Sequence, residues 1–274
     1  MKMDSCLRRN DNLRYVNIGD SEKEKESHRL SGLFYNLGRK VGPKVRKATW
    51  IWHSIIGDEA DAVKVEYEVG RDLASEVRGQ LELDRDAGIE KILNETGSRL
   101  AACVANNSRI FSFEAVNGAE PNAFALPGGF IFVTRSLMEL CLLDKDEIAF
   151  ILGHEMAHVI RGHAMNRIIS SSAISAVSRA AHVRGVLTGW LRTVGVQFLE
   201  SAYSQEMESQ ADKLGVRLAD AAGYNPESSI RMLRRLVNLK ASENNFELGS
   251  YFSSHPSFEV RIRNINNYLK NLQT

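Results

Sequence analysis

Apolar positions are spaced for helices over most of this chain and for strands only in its middle. Val69, Leu73, Val77 and Leu81 recur every four residues, and Ile89, Ile92, Leu93 and Leu100 line one face of a second segment. Both patterns predict amphipathic helices. Segment 109–116, RIFSFEAV, alternates instead and is rich in β-formers, which predicts a strand. Past the turn-like Asn117-Gly118, NAFALPGGFIFVT predicts two short strands around Pro127-Gly128-Gly129. A small antiparallel sheet is therefore expected just before residue 140.

Helical signals then resume. Asp144 suits an N-cap, with Glu147 at the reciprocal capping-box position. Ile148, Ile151 and Leu152 supply that helix with an apolar face. Asn225-Pro226 is a helix start, followed by Ile230, Leu233, Leu236 and Val237. Phe258, Ile262, Ile265, Leu269 and Leu272 form the last stripe. The class is α+β, mostly α, with the sheet beside the helix that follows Asp144.

Three stretches stand apart. Residues 1–28 are polar, hold no apolar core of a signal peptide, and are expected to form a disordered tail. Residues 29–57 are basic and aromatic: within 30–56, Arg39, Lys40, Lys44, Arg46 and Lys47 interleave with Phe34, Trp50 and Trp52. That mixture suits a membrane surface or acidic partner, or a linker that packs its aromatics on the main domain, and Gly42-Pro43 interrupts any single helix. Residues 165–200 are apolar, but Arg179, Arg184 and Arg192 make a membrane hairpin costly, so packed helices or a lid are expected. Residues 58–274 are read as the main domain. As written, the chain points to a cytoplasmic or membrane-associated location, or a periplasmic one if the true N-terminus differs.

Composition narrows the function classes. With 274 residues, 43% hydrophobic and 25% charged, the chain can bury a core without staples. A formal charge of +1 argues against a nucleic-acid partner. Cys6, Cys103 and Cys141 form no CxxC pair, so neither a disulfide framework nor a thiolate metal site is suggested. No GxSxG elbow is present for serine catalysis.

The chemistry concentrates in GHEMAHVIRGH, residues 153–163. Four residues are about one helical turn, so His154 and His158 share a face and can meet one zinc ion. Glu155 is rotated out of that shell and suits a general base acting on a water beside the metal. His163, five residues past His158, is turned away from the first shell. In SQEMESQADKLG, residues 204–215, Glu208 can complete a His, His, Glu site, and Asp212 can hold the free ring N–H of a ligating histidine. The simpler reading, a helix with a solvated acidic face, loses to the pairing with HEMAH.

HEMAH followed by ESQAD resembles the HExxH and ExxxD signature of the gluzincin metallopeptidases related to the CAAX prenyl endopeptidases, HtpX and BepA. PNAFALPGGFIFVT, the GH and NR pairs, and SHPSFEVRI extend the resemblance over roughly residues 60–270. Without clear spanning helices the chain is similar to the BepA-like, soluble branch. The resemblance implies a zincin-like domain with one zinc ion, hydrolysing peptide bonds of unfolded or damaged proteins. It implies that Phe124, Ala125 and Leu126, or the neighbouring strand, edge a cleft where an extended polypeptide adds as a strand. Asn122 and Phe124 match the family pattern. It also implies that His255 lies near the zinc, as a latent fourth ligand or as a transition-state stabiliser, and that Arg261 either faces the cleft or makes a surface salt bridge. The rival expectation is a latent or chaperone-like zinc protein that binds substrates with little turnover.

Overall fold

A computed structural model describes residues 59–170, 202–242, 254–255 and 257–272. The expectations for residues 1–28, 29–57 and 171–200 lie outside the described residues. The described elements are α1 (Glu59–Gln80), α2 (Ala87–Ala101), β1 (Ser112–Val116), β2 (Ala123–Leu126), β3 (Phe130–Thr134), α3 (Arg135–Leu140), α4 (Lys145–Ile160), α5 (His163–Ser170), α6 (Gln205–Ala221), α7 (Ser228–Ser242) and α8 (Phe258–Leu272).

The strands lie in the order β1-β3-β2. β2 and β3 pair antiparallel, as their tight Pro127–Gly129 connection demands. β1 joins β3 in parallel, with Ser112 opposite Phe130 and Val116 opposite Thr134. The sheet is thus mixed rather than wholly antiparallel. Local pattern marks a strand but not the direction of a partner reached through a crossing connection. Every residue of β2 and β3 is buried, which explains why FIFVT reads as an unbroken apolar run. One face, with Phe113, Ala115, Ala125, Ile131 and Val133, joins the core around α2 and α4. The other, with Phe124, Leu126, Phe130 and Phe132, packs on Val69, Leu73 and Val77 of α1. Gly128 and Gly129 take φ of 74° and 95°, values that favour glycine in this tight connection.

Asp144 caps α4 by accepting the amide N–H groups of Asp146 and Glu147. Glu147 does not close the capping box. It is fully buried, and its two oxygens pair with Arg231 and Arg235 of α7. From Glu147 to Val159 every residue of α4 is buried, so this helix has no solvent face for the periodicity to reveal. Its most extensive partner is α6. The two backbones meet at Gly153 and Gly215: a β-carbon at Gly215 would lie 2.8 Å from the His154 nitrogen. The α7 start is tied to α4, since Ser228 donates its hydroxyl to the Asp146 carbonyl and the Asn225 amide donates to the Asp146 side chain.

Candidate metal centre

Three elements converge on one point. α4 brings His154, Glu155 and His158; α6 brings Glu208 and Asp212; the segment before α8 brings His255. All six side chains are buried. His154, His158, Glu208 and His255 each place one donor atom within a common 4.8 Å. His154 Nε2 lies 3.1 Å from His158 Nε2 and 3.3 Å from His255 Nδ1. Glu208 Oε1 lies 2.9 Å from His255 Nδ1 and 3.3 Å from His158 Nε2. Ligand atoms about 2.0–2.1 Å from a tetrahedral zinc stand about 3.3 Å from one another. The donor set fits that ion in kind, number and spacing.

Hydrogen bonds behind the cluster select the ring tautomers. His154 Nδ1 is 3.0 Å from Asp212 Oδ1, and a carboxylate only accepts, so Nδ1 carries the hydrogen and Nε2 presents its lone pair. His158 is set by a longer chain. Gln210 donates from Nε2 to Glu206 and turns its oxygen to His163 Nε2 at 3.3 Å. His163 Nε2 then donates, its Nδ1 accepts, and His158 Nδ1, 3.1 Å away, is the donor. His163 therefore stays outside the donor cluster, against the far nitrogen of His158.

Electrostatics follow burial and charge. Burial holds His158 well below the ordinary imidazole value and keeps it neutral, against the opposing pull of the Glu208 carboxylate. Burial also favours protonated Glu208, but His255, Arg261 and His154 outweigh it and hold the carboxyl well below its usual range. Asp212 behaves likewise, with Arg261 prevailing over burial. Glu155 goes the other way: burial lifts it, and the neighbouring histidines only partly offset the effect. Neither Glu155 oxygen has a hydrogen-bond partner among the described residues, and His255 Nε2 lies 3.5 Å from one of them.

This constellation places the chain within a known group: the model of peptidase family M48 matches residues 88–269, about two thirds of its length. The chain belongs to peptidase family M48. It is 30% identical over 177 residues to the mitochondrial metalloendopeptidase OMA1 of Schizosaccharomyces pombe, covering 64% of this chain and 51% of that one. It is 27% identical over 195 residues to the metalloprotease LoiP of Escherichia coli, covering 67% and 75%. The beta-barrel assembly-enhancing protease of Escherichia coli is 24% identical over 186 residues, 63% of this chain and 38% of its own. The chain thus spans about half the length of the fission-yeast relative.

The other M48 positions singled out in the sequence fall into two groups. Asn122, Phe124, Ala125 and Leu126 sit on or beside β2, which is an edge strand among the described residues. The Asn122 carbonyl accepts from Thr134 of β3, and in an antiparallel ladder the bonded residues alternate, so Ala123 and Ala125 turn their backbone groups outward. The Phe124 side chain stacks on Phe132 inside the core, and the whole strand is buried. Arg261 is not at the surface but buried beside the donor cluster. It occupies the inward stripe of α8 with Phe258 and Ile265, 2% exposed, and pairs with Asp212 at 2.6 Å and Glu208 at 3.0 Å.

Tyr203 has no motif to mark it, whereas Arg167 belongs to the NR pair after HEMAH, which carries no role by itself. Tyr203 stacks on His158 with ring centroids 3.8 Å apart, and its buried hydroxyl has no hydrogen-bond partner among the described residues. Arg167 covers the Tyr203 ring at 4.4 Å and donates to the outward Ala125 carbonyl at 3.4 Å. An aromatic five residues before Glu208 was the available signal, but nothing in periodicity distinguishes it from a core tyrosine.

Among the described residues, no helix is long and apolar enough to cross a membrane.

Proposed function

We propose that this chain is a zinc-dependent endopeptidase in which His154, His158 and Glu208 hold one zinc ion and Glu155 is the general base. The observation that supports this most is the meeting of three zinc-type donors with a buried carboxylate that has no hydrogen-bond partner among the described residues. When bound, zinc supplies Lewis-acid polarisation of a carbonyl and lowers the pKa of an adjacent water to about 7. Glu155 takes the proton of the attacking water and passes it to the departing amine, for which its raised basicity is suited. Asp212 and Arg261 keep the ligands oriented while this happens. An extended polypeptide adds as a strand along β2 once Arg167 is displaced from the buried Ala125 carbonyl, a mode that requires unfolded segments and little side-chain selection. Damaged or unfolded proteins are therefore the substrate class.

His255 supports a second reading, a latent resting form. Its Nδ1 lies within 3.3 Å of His154 Nε2 and 2.9 Å of Glu208 Oε1, inside the donor cluster rather than beside it. In that form His255 holds the fourth position and leaves it when substrate arrives. Casein cleavage tests both. Glu155→Gln retaining zinc but cleaving as fast as wild type would remove the base from the mechanism. His255→Ala should raise cleavage if the residue is a latch, whereas a loss assigns it to transition-state stabilisation.

A further inference from the structure

Glu208 divides its two oxygens between two surroundings. Oε1 faces the donor cluster, 3.3 Å from His158 Nε2 and 2.9 Å from His255 Nδ1. Oε2 turns to Arg261 Nη1 at 3.0 Å and stands 3.7 Å from His154 Nε2. Arg261 comes from α8, an element that bears no donor atom, and its guanidinium is itself pinned. Nε lies 3.0 Å and Nη2 2.6 Å from Asp212, so one carboxylate fixes the plane while Nη1 reaches the other. A guanidinium is planar and rigid, and a single such fork can serve two carboxylates that a lysine could only approach as a point charge. A carboxylate facing a cation can use one oxygen or both. Oε2 is held by Arg261 as an ion pair without a hydrogen bond, and Oε1 is the oxygen nearer to the donor nitrogens.

We infer that Arg261 is a positioning residue that makes Glu208 a one-oxygen metal ligand, and so preserves a coordination place for water, His255 or substrate. The inference rests on the metal site proposed above. It also explains why a charged side chain occupies a core position of α8 between Phe258 and Ile265.

Cobalt(II) loaded in place of zinc reports coordination number through its visible absorption, which weakens on passing from four to five ligands. The spectra of wild type, Arg261→Lys and the double variant Arg261→Met, Asp212→Asn are compared, with thermal unfolding measured alongside. The double variant removes one positive and one negative charge, so it leaves no lone charge from the Arg261–Asp212 pair in the core. The strong four-coordinate band of wild type should weaken and shift in both variants. A role confined to stability would lower the unfolding temperature and leave the spectrum unmoved. Folded variants with the wild-type spectrum would overturn the assignment to Arg261 alone. A folded wild type that takes up no cobalt would overturn the metal-site reading beneath it.

Discussion

Gly215→Ala should damage the metal centre from a position that touches no ligand side chain. The added β-carbon would stand 2.8 Å from the His154 nitrogen and 3.0 Å from its α-carbon, against an ordinary contact of about 3.4 Å or more. The obstructing atoms are helix backbone, so no side chain can rotate away. α4 and α6 must separate by roughly half an ångström, and the donors they carry separate with them. Overpacking of this kind costs about 1–3 kcal/mol, offset by up to about 1 kcal/mol of gained helix propensity. The net is a destabilisation of about 1–2 kcal/mol. Displacement of that size also lowers kcat/KM by roughly tenfold to a hundredfold, because proton transfer and ligation depend on sub-ångström placement. Thermal unfolding of the chelated and zinc-loaded protein, together with casein cleavage, measures both effects. Gly79→Ala is the control: nothing lies within 4 Å of its added carbon, so it should be neutral or mildly stabilising. Wild-type activity and stability in Gly215→Ala would refute the close crossing of these helices.

Other expectations follow from the same structure. Glu147→Ala leaves Arg231 and Arg235 facing an emptied buried site, and it should cost about 2 kcal/mol in urea unfolding, less than a fully buried pair because both arginines reach solvent. Tyr203→Phe deletes a buried hydroxyl with no described partner; stability should hold or rise, while kcat falls at least several-fold if that hydroxyl meets the reacting oxygen, and an unchanged kcat would confine Tyr203 to packing. Chelator treatment should lower the unfolding temperature, and zinc at about a hundred times its dissociation constant should restore about 2.7 kcal/mol, or roughly 5–10 °C.

Much of this arrangement was written locally. The four-residue spacing of Val69, Leu73 and Val77 marked α1, and HEMAH with ESQAD named five of the six converging residues, because a helix turns spacing directly into a shared face. What spacing could not show was tertiary. The parallel pairing of β1 with β3 depends on a crossing connection. The burial of α4 from Glu147 to Val159 could not be foreseen from the apolar stripe of Ile148, Ile151 and Leu152. A surface salt bridge is the ordinary expectation for Arg261 because charged residues are rarely interior, and two carboxylates from another helix make its burial tolerable. The helix angle turns His163 from the donor face, yet it meets His158 directly and is itself oriented by Gln210, forty-seven residues away.

The central claim is that Glu208 joins His154 and His158 in holding a single zinc ion. Metal content of purified, folded protein tests it most directly, using wild type, Glu155→Gln and Glu208→Ala. The account predicts about one zinc per chain in the first two and little or none in the third. A folded Glu208→Ala protein that keeps a full equivalent of zinc would contradict it.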